Sequence, residues 1–311
     1  MMRWLEVAVE ATPDSAEDIR LIMAKWAGSA VAVEERADEH SVDRVCRLTA
    51  YLPDGERLAA TRHDLLNALW HIGSLGVKSA RTPIERWTDE SEWHSKWKAF
   101  FKPARVGRIL LAPAWDDSVE NGDSVVRIDP GMAFGTGLHV TTRQSLLAMQ
   151  DRLSQGDEVL DLGTGSGVLA IAAARLGAGS VKALDNDLTA VEAARANVTL
   201  NGLKDVVTVS RGSLDRGTSE RDYTTRFDLL VANIVAAVHL QLAGAMIDAL
   251  KLGGTLILGG ITQPRETEVA AAFADRAMQL VDSTHDGGWV CLTFQNDADG
   301  GRRGVSCTKN G

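Results

Sequence analysis

Residues 157–167 read Asp-Glu-Val-Leu-Asp-Leu-Gly-Thr-Gly-Ser-Gly and run straight into Val-Leu-Ala-Ile-Ala-Ala-Ala-Arg at 168–175. An apolar strand, three glycines at alternate positions and an apolar helix make the opening of an α/β unit. Near-continuous apolar strands suit a parallel sheet buried on both faces. Two more such runs follow, F-D-L-L-V-A-N at 227–233 and G-T-L-I-L-G-G at 254–260. Working outward, strands are expected at 108–112, 124–129, 157–161, 181–185, 206–210, 227–233 and 254–260, several of them followed by a helix. The last two strands, 277–284 and 288–295, are joined by His-Asp-Gly-Gly at 285–288. That turn signal predicts a hairpin and an antiparallel final strand.

Upstream the pattern changes. Trp4, Leu5, Val7 and Val9 alternate with charges as a strand over 3–9, and Thr12 or Asp14 can cap a helix carrying Ile19, Ile22, Met23 and Trp26. Strands at 30–34 and 45–52, a helix carrying Leu58, Leu65, Leu66 and Leu69, and a strand at 77–85 complete a β-α-β-β-α-β order. That order is the ferredoxin-like, split βαβ arrangement. The expected organisation is therefore a ferredoxin-like α+β domain over 1–86 and an aromatic linker over 87–104 with Trp87, Trp93, Trp97, Phe100 and Phe101. An α/β domain over 105–295 follows, and then a polar, Gly-rich, disordered tail over 296–311.

The 311 residues, 45% of them hydrophobic, are enough for two cores. The formal net charge of -9 is spread along the chain and argues against a protein built to grip nucleic acid, since phosphate binding relies on clustered Lys and Arg. Cys46, Cys291 and Cys307 lie far apart, so no zinc-ribbon or thioredoxin spacing is present, and a reduced, cytoplasmic protein is expected. The first ten residues hold no signal-peptide core, and no apolar run approaches the about 18 residues that a membrane span requires.

The glycine turn lies at the carboxyl end of a strand, where doubly wound sheets bind ligands. Gly165, Gly167 and Ala170 satisfy a dinucleotide pattern, and Asp185 follows at a spacing suited to a ribose acid, so a nicotinamide cofactor stays open on the glycines alone. Three features favour a cationic cofactor. Asp161 closes the strand just before the glycines, where a carboxylate repels a pyrophosphate but suits an amine or sulfonium. Asp185 ends V-K-A-L-D, where an acceptor-only carboxylate can take two ribose hydroxyls. The terminal hairpin is foreign to a plain dinucleotide unit. Together these residues resemble a class I S-adenosylmethionine-dependent methyltransferase, a Rossmann-like sheet with an antiparallel C-terminal hairpin.

Residues 129–142, D-P-G-M-A-F-G-T-G-L-H-V-T-T, narrow the resemblance. With D-L-G-T-G-S-G at 161–167 and V-A-N-I at 231–234, they are similar to the methyltransferases of ribosomal protein L-eleven over nearly the whole chain. The resemblance implies a protein-lysine N-methyltransferase whose N-terminal domain recognises the ribosomal protein. Methyl groups would pass from S-adenosyl-L-methionine to lysine side-chain amines and the N-terminal amine, up to trimethylation. It also implies cofactor contacts at Thr142, Gly163, Gly165, Asp185 and Asn233, with Phe134 and the loop from Gly135 to Gly137 as a lid.

Other readings stand beside these. Thr141 or Thr142 can simply cap the following helix. His139 can act as general base or, more in keeping with its surroundings, in positioning. Gly212 and Ser213 can border adenine or form a plain turn. Many amine methyltransferases end the strand before the acceptor with N-P-P-Y; here it is Asn233-Ile234-Val235, without the aromatic. What remains for an amine is the Asn233 carbonyl and the Ile234 backbone carbonyl, both acceptors. That pair suits Lys better than a nucleobase. The attacking amine must be neutral, although its free pKa is about 10.4. Burial beside a positive charge lowers that value, so no dedicated base is required. Lysine on another protein or an RNA base as acceptor, and a non-catalytic cofactor-binding or assembly module on the ribosome, are the competing functions. A monomer is expected.

Overall fold

The computed structural model describes residues 3–12, 15–16, 19–20, 22–23, 31–37, 44–55, 58–74, 83–89, 102–120, 122, 124–129, 139–214, 227–276 and 278–296. These fall into two compact units, within residues 3–102 and 103–296. Among them no helix is long and apolar enough to cross a membrane.

The first unit contains β1 (Arg3–Ala11), β2 (Val31–Ala37), β3 (Arg44–Pro53), α1 (Leu58–Ser74) and β4 (Ile84–Asp89). Residues 15–16, 19–20 and 22–23, between β1 and β2, are helical. The strands pair antiparallel in the order β2-β3-β1-β4, the split βαβ arrangement. Its core joins Ile19 and Met23 of the first helical stretch and Leu65 of α1 to Val7 and Leu48 of the sheet.

The fourth strand differs from the expected 77–85. It begins just after Pro83, which has no N–H for a ladder and so marks a strand's start rather than its interior. Residues 75–82 lie outside the described residues. Trp87, expected in the linker, is part of β4, opposite Leu5, with the Arg3 guanidinium 4.3 Å from its ring centre. Trp93, Trp97, Phe100 and Phe101 lie outside the described residues.

The second unit opens with β5 (Ala104–Val106), β6 (Ile109–Pro113) and β7 (Val125–Ile128). The last two answer to the strands expected at 108–112 and 124–129, but the three form a small sheet of their own. There follow α2 (Val140–Arg152), β8 (Glu158–Leu162), α3 (Val168–Arg175), β9 (Ser180–Asp185), α4 (Leu188–Leu200) and β10 (Val207–Arg211). The chain ends through β11 (Phe227–Asn233), α5 (Ala236–Asp248), β12 (Leu250–Thr262), α6 (Glu266–Ala274), β13 (Met278–Asp286) and β14 (Trp289–Asn296).

The main sheet has seven strands in the order β10-β9-β8-β11-β12-β14-β13. β8 to β12 run parallel, and β14 runs antiparallel to β12. The hairpin turn is the two residues Gly287 and Gly288, with φ of 54° and 78°, between paired Asp286 and Trp289. Two successive positive-φ residues give the twist that a tight hairpin requires. Asn296, expected in the tail, closes β14 and donates from Nδ2 to the Lys251 carbonyl at 3.0 Å. Residues 297–311, Cys307 among them, lie outside the described residues.

Chain order explains where a ligand belongs. From β8 the chain winds outward to β9 and β10, then returns to place β11 on the other side of β8. The crevice at such a reversal, beyond the carboxyl ends of β8 and β11, is where open α/β sheets bind ligands. Asn197, in the last turn of α4, and Asn201, the C-cap that follows it, fasten the end of β7 to this layer of helices. Asn201 exchanges amide hydrogen bonds with the Arg127 backbone. Asn197 does the same with Asp129, and also donates to the Ser166 carbonyl at 2.8 Å.

Candidate active site

β8 ends at Leu162, and the chain turns through Gly163, Gly165 and Gly167 with φ of 76°, 56° and 85°. Only glycine adopts this region without strain, which explains the alternate glycines. Space is as demanding as the dihedrals: a Cβ on Gly163 would lie 2.3 Å from Cγ2 of Ile234. The turn is tied to β9 by the amides of Gly163 and Thr164, both donating to the Leu184 carbonyl. Asp185, partly buried at the end of β9, accepts from Gly165 N on one oxygen and Asp187 N on the other, each at 2.9 Å. The carboxylate expected to meet a ribose thus also shapes the glycine turn.

Asp161 is wholly buried. Its Oδ2 accepts from the Thr164 hydroxyl at 2.7 Å and from Ala170 N at 3.0 Å, fastening both ends of the turn to the strand. Its role toward the turn is therefore structural, which differs from a carboxylate offered to a cation. Oδ1 is buried without a hydrogen-bond partner. Burial is the main cause that pushes this carboxyl up to about 7, against the two hydrogen bonds that lower it. The unfolded value is about 3.9. The contribution to stability is thus full below that value and is lost as pH rises through 7. Asp161→Asn keeps an acceptor oxygen without the charge. Its stability relative to the parent is expected to rise by about 2–3 kcal/mol between pH 5 and pH 8, measured by urea unfolding. A difference that does not change with pH would refute this.

On the other side of the crevice, β11 ends at Asn233. Asn233 Nδ2 donates to Oγ1 of buried Thr142 in α2 at 3.2 Å, which leaves Oδ1 as the acceptor of this carboxamide. The cap of α2 is neither threonine but His139, which accepts from Thr141 N through Nδ1 and lies 2.8 Å from the Thr141 hydroxyl. Thr142 is thereby freed from capping. The His139 ring meets Trp289 edge-on at 5.3 Å, and Gln144 Nε2 donates to the carbonyls of Thr284 and Trp289. α2 is in this way fastened to the terminal hairpin.

The structure brings Thr142 and Asn233 into direct contact, places Ile234 against Gly163, and links Gly165 to Asp185. Gly212 N donates to the Asp185 carbonyl, and Ser213 beside it is buried. Phe134, Gly135 and Gly137 lie outside the described residues. Sequence reasoning missed Thr164 within the turn, and Ser145, His239 and the pair Gly259-Gly260, which gather at the end of β11. A double glycine inside a strand is the one local signal that marks such a spot.

The comparisons with known proteins agree with this geometry. The family described as Ribosomal protein L11 methyltransferase (PrmA) matches residues 3–297. The chain belongs to this family. It is 40% identical to the Ribosomal protein L11 methyltransferase of Chloroflexus aurantiacus over 323 aligned positions, covering 94% of this chain and 98% of that one. The Pelobacter propionicus protein of the same description is 36% identical, covering 95% and 98%. Among solved structures, the ribosomal protein L11 methylase of Lactobacillus delbrueckii subsp. bulgaricus matches with a TM-score of 0.55 and 31% identity, covering 63% of this chain and 99% of that chain. As a member of this methyltransferase family the enzyme uses S-adenosylmethionine, and the nicotinamide alternative falls. The residues present fit that group: a cradle too tight for any Cβ at Gly163, and a strand-end carboxylate at Asp185.

Proposed function

We propose that this chain methylates amines of ribosomal protein L11, lysine side chains and the N-terminal amine, up to trimethylation. The observation that carries the reading is the Asn233–Ile234 pair at the end of β11. The Ile234 side chain packs against Gly163 of the glycine turn, and Thr142 takes the Asn233 amide N–H, which leaves Asn233 Oδ1 as an acceptor. When bound, S-adenosylmethionine supplies an electrophilic methyl group next to a positive charge.

The glycine turn with Gly163 and Gly165, Asp185, Thr142 and Asn233 would hold the cofactor, with Phe134 and Gly135 as further proposed contacts. The Asn233 and Ile234 carbonyls accept the N–H groups of a neutral amine and so aim its lone pair. Alignment supplies most of the acceleration in such a reaction. Burial beside the cofactor's positive charge would favour the uncharged amine, so its protons leave through water without a dedicated base. Acceptors on one side only let the amine turn between successive transfers.

The ferredoxin-like unit selects the substrate, and the α/β unit carries the chemistry. The enzyme works in the cytoplasm as a monomer and without direct hold on nucleic acid. Incubation with labelled S-adenosylmethionine and ribosomal components is expected to label L11. Label in RNA in place of protein would refute the reading.

A further inference from the structure

We infer that His239 is a positioning residue for methyl transfer: it holds the Gly259–Gly260 bulge that fixes the two carbonyls offered to the acceptor amine. This rests on the amine-holding role proposed for Asn233 and Ile234.

The β12–β14 ladder shifts register between Leu258 and Ile261, so Gly259 and Gly260 are left without partners in β14. On the other side, Gly259 is opposite Asn233 in the parallel ladder with β11. Bulges re-aim the groups around them and concentrate near active sites. Here both bulged residues press on the proposed amine acceptors. A Cβ on Gly259 would lie 2.9 Å from Asn233 Oδ1 and 2.4 Å from Ser145 Oγ. A Cβ on Gly260, whose φ is 73°, would lie 2.4 Å from the Ile234 carbonyl oxygen. No side chain fits at either position, so the backbone of the bulge itself sets where the Asn233 and Ile234 oxygens sit.

A bulge opens a ladder and leaves backbone groups to be satisfied elsewhere. His239, in the first turn of α5 directly after the Asn-Ile-Val segment, meets this need. It is fully buried, and its Nε2 lies 2.8 Å from the Gly259 carbonyl oxygen. A carbonyl only accepts, so Nε2 carries the proton and donates. Burial pushes this imidazole down to about 4, so it is neutral at pH 7. It is therefore a fixed donor and not a proton carrier. One rigid ring fastens the bulge to the helix that starts beside the site.

The test uses the full chain, recombinant L11 and labelled S-adenosylmethionine. His239→Leu removes the donor at similar bulk and is expected to lower kcat by about 10- to 100-fold, the scale of a small misalignment. Cofactor affinity, measured by calorimetry without L11, should stay within about twofold, because the glycine turn is untouched. In His239→Gln the side-chain amide can donate to the same carbonyl, so kcat should recover to within about threefold of the parent. The pH profile of kcat should keep its shape in every variant.

Parental turnover in folded His239→Leu would overturn the inference. So would equal loss in Leu and Gln variants that melt like the parent, or the disappearance of one limb of the pH profile. If His239→Leu does not fold, His239→Gln decides: parental turnover supports the donor role, and loss in a normally melting protein refutes it. Full activity in Asn233→Ala would instead sink the acceptor pair itself. Inactive Asn233→Ala beside fully active His239→Leu sinks only the role of His239.

Discussion

Asn233→Ala is expected to lower kcat for methylation of L11 by about 10²- to 10³-fold, the loss seen when a preorganised hydrogen-bonding group at a reacting centre is removed. The carboxamide is held on two sides. Its N–H is spent on Thr142, and its oxygen lies close to the Gly259 backbone. Truncation leaves the Ile234 carbonyl as the single acceptor, and one acceptor does not fix the direction of an amine's lone pair. Asn233→Asp separates positioning from polarity. It keeps an acceptor oxygen at the same place, and the Thr142 hydroxyl can rotate to donate to the carboxylate. The added negative charge favours the ammonium form of the substrate, so the reactive amine becomes rarer at neutral pH. The rising limb of the rate should therefore move to higher pH, by about one unit or more for a charge within contact distance. Initial rates of label incorporation from pH 7 to pH 10 measure this. An Asp variant with the parental pH profile would contradict the presence of the amine at this carbonyl.

How far the sequence reached depended on whether a feature was local. The glycine turn declares itself because three glycines at alternate positions have no cheaper explanation than a backbone with repeated positive φ. The apolar runs in β8, β11 and β12 declare a buried parallel sheet, and Asp286-Gly287-Gly288 declares the hairpin. β4 was misplaced because its residues alternate weakly, with exposed Ile84 and Trp87 resembling the aromatic stretch that follows. The function of Pro83 as a start signal decided the matter.

Features that depend on two distant segments were not legible. His239 reads as one polar residue in an apolar helix, and nothing near it in the chain says that a bulge 20 residues later needs a donor. Asp161 stood beside the glycines, which suggested a charge facing the ligand. Only the fold shows that Thr164 and Ala170 turn back onto it and that burial takes it from water. The pairing of Thr142 with Asn233 was not legible either, because 91 residues separate them.

Asp185→Ala is expected to weaken S-adenosylmethionine binding by about 100-fold or more, and the reason is double. Each carboxylate oxygen already accepts one backbone amide, from Gly165 and from Asp187, and each keeps a further lone pair for a hydroxyl. Hydrogen bonds to a charged group contribute about 1.5–3 kcal/mol each, so losing two ribose contacts alone accounts for about 3 kcal/mol, or a little over 100-fold. Removing the acceptor for Gly165 N also loosens the turn that must be formed before the cofactor enters. Asp185→Asn sorts the two causes. Its carboxamide oxygen can still accept Gly165 N and one hydroxyl, but the other position becomes a donor and the charge is gone, so the loss should fall to about tenfold. Calorimetric titration of the free enzyme reads both values directly. Affinity within twofold of the parent in Asp185→Ala would mean that the carboxylate serves the turn alone, and the ribose would then have to be held by groups outside β9.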